Sequence, residues 1–440
     1  MKQRYDSYKP SGIDWIGDIP NHWKVVPIKQ ICRSEKYAIK TGPFGSQLKG
    51  EDLQETGDIR VYNQRNVIDN NFSEVSSFVT SEKAKDLDSF YTLPNDLLVT
   101  SRGTIGKSAI LPKSVEMGIL HPCLIALRID DRKANLKWVQ RWINESEAFR
   151  TEIASKSNAT TIDVIYTETL KNIRLALPPL AEQEAIAAWL DEKCGEIDAA
   201  IAKVDREIEL IDELKQSEIS RVVTRGLNPD ALLRPSGIDW IGDIPSHWTK
   251  CRLKFIGSAR NGLTYSPSDV KDSGKLVIRS SNIQDAKLNY DDCVFVATYP
   301  ETLSVNSGDT IICSRNGSIN LIGKSVFIED DMDVTFGAFM MRFRPYEHPK
   351  YSHYLLSIAI SRYKGLFATT TINQLTADSL GKMEAVMPPY MEQIQIANYL
   401  DKKCAEIDEL KAKLTKKRET LTELRQSIIS EVVTGKRKVI

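Results

Sequence analysis

Ser11–Trp23 reads SGIDWIGDIPNHW, and 225 residues further on Ser236–Trp248 reads SGIDWIGDIPSHW. One position differs, Asn21 against Ser246. A second pair returns at a shorter offset. Pro178–Thr224 opens PPLAEQEAIAAWLDEKCGEID and closes SEISRVVT; 210 residues later Pro388–Thr434 opens PPYMEQIQIANYLDKKCAEID and closes SIISEVVT. Self-similarity of this kind decides architecture before any local reading does. With two copies only, the chain is a pseudo-dimer in one polypeptide and not a solenoid. Each half holds a short tryptophan-rich segment, a divergent domain and a long helix. The divisions are 1–23 (repeat segment), 24–177 (first divergent domain), 178–234 (long helix and linker), 235–248 (second repeat segment), 249–387 (second divergent domain) and 388–440 (long helix and tail).

In the repeat segments Pro20 and Pro245 fix φ and the Gly-Asp steps favour turns, so the reading is an ordered clasp with its tryptophans buried. His22 and His247 read as packed or capping groups of that clasp and not as catalysts. Short β-branched runs separated by Gly, Pro and Asn indicate mainly β or α+β divergent domains. Trp138, Trp142, Phe149 and Ile153 recur at helical spacing and predict one helix over Leu136–Ser155; a second helix is predicted from Tyr351 to Phe367. Thr160–Leu170 and Thr370–Leu380 form a matched turn closing each domain.

Each Pro-Pro pair suits a helix entrance. Beyond them Ile407, Leu410, Leu414, Lys417, Leu421, Leu424 and Ile428 follow a heptad seam, as do Ile197, Ala200, Val204, Ile211 and Leu214 in the first copy. At 1.5 Å per residue such helices run roughly 60 Å. The fold class is therefore α+β: two β-rich or mixed domains in pseudo-two-fold arrangement, joined by two long helices expected to pair as an antiparallel coiled coil.

Lys+Arg and Asp+Glu both total 59, giving a formal net charge of zero, and the divergent domains lean only slightly basic. Nucleic-acid binders are often clearly basic. The balance weakens a DNA reading without removing it, since a local basic face or a basic partner can supply the phosphate contacts. The seven cysteines show no CxxC pair and no metal-ligand spacing to histidine, which argues for a reducing interior and no metal site. The opening MKQRYDSYKP has no apolar core and no apolar run approaches a membrane span, so the expectation is a cytoplasmic protein.

Several stretches imitate enzyme motifs. Met387-Pro-Pro-Tyr390 resembles the Asn/Asp-Pro-Pro-Tyr signature of amino-group DNA methyltransferases, but Met387 cannot accept a hydrogen bond from an exocyclic amine. Gly317–Ser325 and Gly103–Ser108 come near the P-loop pattern, with wrong glycine spacing. Both GKS triplets run into strand-like stretches, SAIL and SVFI, whereas a P-loop must open a helix. No HExxH, GxSxG or paired-histidine pattern is present, so the chain reads as non-catalytic.

What remains are polar, glycine-bearing loops. Arg suits guanine, Asn and Gln suit adenine, and Ser suits several base edges. In the first domain the candidates are Thr41, Gly42, Phe44, Ser46, Gln47 and Lys49, then Gln64, Arg65 and Asn66, then Ser101, Arg102, Thr104 and Lys107. In the second they are Arg260 and Asn261, then Arg279, Ser281 and Asn282, then Ser314, Arg315, Asn316 and Ser318. Ser101-Arg102-Gly103 and Ser314-Arg315-Asn316 follow matched strands, which singles out that loop in both copies. Thr41–Lys49 finds no good counterpart in the second domain, where Asn261–Ser266 stands instead.

The combination of WIGDIPxHW (Trp15–Trp23, Trp240–Trp248), TGPFGSQLK (Thr41–Lys49), the SRG and SRNG turns and the PPxxEQ helix starts resembles the specificity subunit of type I restriction–modification enzymes. The resemblance covers essentially the whole chain. It implies that the divergent domains are target recognition domains, each reading one half of a bipartite, non-palindromic site in double-stranded DNA. It implies that the helices set their spacing and dock two methyltransferase subunits, with restriction (motor and nuclease) subunits joining them. S-adenosylmethionine, ATP and Mg would belong to those partners, and this subunit would bind no cofactor. The competing reading is a coiled-coil adaptor with two protein- or carbohydrate-binding modules, which the neutral charge mildly favours.

Overall fold

The computed structural model describes residues 4–156, 164–367 and 373–439. The openings of the two matched turns, 160–163 and 370–372, lie outside the described residues. The chain forms two compact units, Met1–Val204 with Lys416–Ile440, and Asp205–Thr415.

In the first unit the clasp is a hairpin, Tyr8–Pro10 against Asp18–Pro20. Lys24–Pro27 then pairs antiparallel with Arg174–Leu177, so the divergent segment leaves and returns at one place. Between them lies an antiparallel sheet in the order Ile39–Thr41, Leu124–Leu127, Leu97–Thr100, Ser108–Ile110. A smaller sheet joins Ile59–Tyr62 antiparallel to Phe78–Val79 and parallel to Ile119–Leu120. Leu97–Thr100 is buried along its whole length, which is why it reads LLVT without alternation.

The second unit repeats this topology with other residues. Its clasp pairs Leu233–Pro235 with Asp243–Pro245, and Thr249–Arg252 closes on Glu384–Met387. The main sheet runs Gly257–Asn261, Met340–Pro345, Thr310–Cys313, Ser325–Phe327, and Lys275–Ile278 pairs parallel with Val334–Phe336. Ser108 and Ser325, the last residues of the GKS triplets, each open a strand, so neither triplet is a phosphate loop.

The two repeated segments are repeated because they bind each other. His22 Nε2 lies 2.8 Å from Glu182 Oε2, and His247 Nε2 lies 2.5 Å from Glu392 Oε1. The neighbouring glutamine is fully buried in both copies. Gln183 donates to the Pro178 carbonyl at 2.8 Å and accepts from Asn135 N–H at 2.8 Å. Gln393 donates to the Pro388 carbonyl at 3.0 Å and accepts from His348 N–H at 3.3 Å. The HW and EQ pairs thus tie each clasp, helix entrance and domain together; the histidines bind the glutamates from the surface, about half exposed, and are not packed inside the clasp.

The long helices span Leu180–Arg225 and Tyr390–Val433. Within the first unit Asp198 pairs with Arg425, and within the second Asp212 pairs with Lys411 and Asp408 with Lys215, at 2.6–2.8 Å. The antiparallel order follows in the second unit, because Lys215 lies after Asp212 while its partner Asp408 lies before Lys411.

Two sequence expectations need correction. Leu214, Leu410 and Leu424, placed on the seam by heptad spacing, are 54%, 49% and 46% exposed. Val204, Ile211 and Ile407 are buried as the seam requires, but at the exposed leucines the stripe passes one residue on, through Lys215 and Lys411, which carry their charges to the opposite helix. The predicted helix Leu136–Ser155 is two, Leu136–Glu145 and Glu147–Lys156. Ser146 between them is buried and extended (φ −77°, ψ 125°), and the bend lets Phe149 meet the Trp142 ring edge-on at 5.2 Å. The other predicted helix begins slightly earlier, at Pro349, capped by His348, and gives way to a 3-10 turn at Lys364.

Candidate nucleic-acid interface

Three of the loops singled out in the first domain converge, and a fourth segment, 121–123, holds them. Gly42 N–H donates to the Leu124 carbonyl at 3.0 Å, His121 N–H to the Tyr62 carbonyl at 3.0 Å, and Ser101 N–H to the Cys123 carbonyl at 2.8 Å. Gln64 Nε2 reaches the Thr104 carbonyl at 3.2 Å. The second domain makes the same cluster. Gly262 N–H donates to Met340, Gly337 N–H to Ile278 and Ser314 N–H to Phe339, at 2.9–3.1 Å. Lys324 Nζ reaches the Ser280 carbonyl at 3.3 Å.

This overlay corrects the expectation that Thr41–Lys49 has no counterpart. A Cβ on Gly42 would stand 2.2 Å from the His121 carbonyl oxygen, and one on Gly262 would stand 2.2 Å from that of Gly337. Both glycines exist because the first loop must press its backbone against the fourth segment. Gly262→Ala should therefore push the 337–339 turn away. Its expected result is a loss of about 1–3 kcal/mol in urea denaturation.

The cluster separates scaffold from free groups. Asn66 and Asn282 are buried and spent internally. Asn66 Nδ2 donates to the Asn71 and Glu74 carbonyls at 2.9 and 2.8 Å, and Asn282 Nδ2 to those of Asn289 and Asp292 at 3.1 and 2.9 Å. Their Oδ1 atoms accept from Asn63 and Arg279 N–H. These two asparagines hold a tight turn and have no amide left for a base. Ser101 and Ser314 are also buried, beneath the turns they precede. Gln47 accepts from Phe44 N–H at 3.1 Å, Thr41 Oγ1 lies 3.4 Å from the Leu124 carbonyl, and Asn316 Oδ1 accepts from Ser318 N–H at 3.0 Å.

Several charges are already paired: Lys49 with Glu51 and Arg65 with Asp69, both at 3.2 Å, and Arg279 with Asp292 at 2.7 Å. Arg102, Lys107 and Arg260 are exposed and make no ion pair among the described residues. Ser46, Thr104, Asn261, Ser281 and Ser318 are exposed beside them, and Phe44 is 65% exposed. Exposed arginine and lysine among small polar groups and bare backbone can contact phosphates and base edges.

The fourth segment was missed in the sequence. It carries His121 in one domain and Phe339 in the other. His121 Nδ1 accepts Cys123 N–H at 3.2 Å, and burial together with the Arg102 charge lowers its pKa. The ring is thereby a neutral imidazole with Nε2–H as its donor. In the sequence HPC and GAF are both three-residue breaks between runs that the structure buries, GIL and LIAL, VTF and MMRF.

Among the described residues no helix is long and apolar enough to cross a membrane. The family model for the type I restriction modification DNA specificity domain matches residues 20–209 and 245–419. The chain is 28% identical over 204 residues to the StySPI type I restriction enzyme specificity subunit of Salmonella potsdam, covering 44% of each chain. It thus matches under half the length of that relative. The EcoBI specificity subunit of Escherichia coli is 20% identical over 439 residues, covering 96% of this chain and 88% of the relative. Among solved structures, a chain from work on complex assembly and conformational transition of the type I R-M system aligns with a TM-score of 0.69 at 16% identity, over 94% of this chain and 98% of that one. The HsdS subunit from Thermoanaerobacter tengcongensis aligns at 0.50, also at 16% identity, over 95% and 98%. At such identity the structural likeness speaks for the fold.

Proposed function

The chain belongs to the type I restriction modification DNA specificity family, and from that premise we propose that it is the non-catalytic subunit that selects the DNA target of such a complex. Residues 24–177 read one half of a bipartite site in double-stranded DNA and residues 249–387 read the other. The observation that carries this reading is the four-segment loop cluster, built on one topology in both domains yet lined by different side chains. Identical readers on a two-fold frame select a palindrome. Different readers on a duplicated frame select two unlike half-sites with an unread spacer between them.

The long helices set the spacing of the readers and dock two methyltransferase subunits. Support comes from Leu210 and Leu214, four residues apart on one helix face and 46% and 54% exposed. The restriction subunits join that assembly, in the cytoplasm. S-adenosylmethionine, ATP and Mg act in the partners. With no net charge of its own, this chain leaves much of the phosphate contact to them, so the isolated chain binds DNA weakly.

The test is a map of N6-methyladenine in cells carrying this gene and its neighbouring methyltransferase gene, with and without an in-frame deletion of this one. The expected result is a two-part motif whose methylation vanishes in the deletion strain. An active methyltransferase that gives the same map in both strains refutes the proposal.

A further inference from the structure

The 337–339 turn differs from its counterpart in what stands upon it. Phe339 is 59% exposed, and the Arg315 guanidinium lies over its ring, 5.6 Å from the centroid. The stack is held by backbone. Ser314 N–H, Arg315 N–H and Ser314 Oγ all donate to the Phe339 carbonyl, at 2.9, 3.1 and 3.0 Å. Arg315 also pairs with Gln374 as a short strand, so its Cα is fixed on both sides. Arg315 is only half-buried and forms no ion pair among the described residues. In the first domain Cys123 stands at the equivalent place. Its carbonyl accepts Ser101 N–H, and Arg102 has no ring beneath it among the described residues.

An arginine on an open loop must give up side-chain freedom when it binds. A ring that already fixes the guanidinium plane removes part of that loss. We propose that Arg315 is a pre-oriented guanine reader in the half-site recognised by residues 249–387, with Phe339 as its positioning residue. The inference rests on the DNA-specificity reading above. Guanine displays O6 and N7 side by side in the major groove, and a planar guanidinium matches both, whereas the ammonium of lysine matches them only as a point charge. Phe339 lies on a neighbouring strand turn far away in sequence, so nothing in the Ser-Arg-Asn motif itself announces it.

The experiment is the same methylation map, taken for the wild-type gene, the deletion, Arg315→Lys, Arg315→Gln, Phe339→Ala and Phe339→Tyr. Duplexes carrying the mapped site, with each guanine replaced in turn, are then titrated with the complex purified with its methyltransferase. The expected result is that both Arg315 variants lose selectivity at one guanine of one half-site, by about 5- to 150-fold, with the other half-site unchanged. Phe339→Ala should weaken selectivity at the same guanine and Phe339→Tyr restore it, with thermal midpoints unchanged across the set. If the motif depends on this chain but Arg315→Lys and Arg315→Gln alter no base preference, or relax a position that is not guanine, the inference is overturned while the parent reading stands. If Phe339→Tyr fails to restore what Phe339→Ala loses, the positioning role is overturned. If the deletion leaves the map unchanged, both readings fall together.

Discussion

Replacing Arg344 by methionine should destabilise the second unit by about 3–5 kcal/mol, because it strands a buried carboxylate. Asp309 is 1% exposed, and its oxygens accept from Arg344 Nε and Nη2 at 2.8 and 2.7 Å and from Asn306 N–H at 2.8 Å. Arg342, the other cation nearby, reaches it only at 4.0 Å. Removing the guanidinium leaves the charge in place without its partner. The double variant Arg344→Met with Asp309→Asn should recover part of the loss, since the amide oxygen still accepts Asn306 N–H and the buried carboxylate is gone, while the buried Arg342 guanidinium gives up its 4.0 Å contact with that charge. The first unit carries the same pair: Asp96 meets Arg128 at 3.1 Å and accepts Leu93 N–H at 2.8 Å. Burial nevertheless holds the Asp96 carboxyl above its ordinary pKa. Urea denaturation read by hydrogen exchange within 249–387 measures the effect. An Arg344→Met protein with wild-type protection there would show that the pair contributes nothing.

Truncating Trp248 to alanine should cost about 3–5 kcal/mol, the range for emptying a buried aromatic site. The sharper expectation compares the two copies. Trp248 is 1% exposed and its indole N–H donates to Glu392 at 2.9 Å, whereas the equally buried Trp23 indole N–H has no acceptor among the described residues. In the first copy Tyr5 donates its hydroxyl to Glu182 instead. Trp248→Phe removes a hydrogen bond to a charged acceptor, worth about 1.5–3 kcal/mol. Trp23→Phe removes only part of a ring and relieves an unsatisfied donor. Trp248→Phe should therefore be the more damaging of two substitutions in near-identical sequence. Equal losses in paired denaturation curves would count against this account of the clasp.

The loop cluster was legible in outline and not in detail. Arg102, Arg315 and their flanking serines stand out because a matched strand precedes each. Asn66 and Asn282 look like adenine readers in the sequence, and only their buried amides show that they hold a turn. Residues 121–123 and 337–339 show in the sequence only as short breaks between apolar runs; their place in the cluster comes from hydrogen bonds to segments far off in the chain.

By itself the sequence determined the duplication, the two long helices and their entrances, and the mixed domains. These are properties of local composition and self-similarity, which neighbours in the chain suffice to express. The tertiary structure alone decided what the repeats are for, since His22 and Glu182 are far apart in sequence and touch only when folded. It decided the seam, because Lys215 and Lys411 lie along it once charges on the opposite helix are in reach. It also decided that Gly42 and Gly262 are the same residue in two domains, because a missing Cβ has meaning only against the backbone it lets approach.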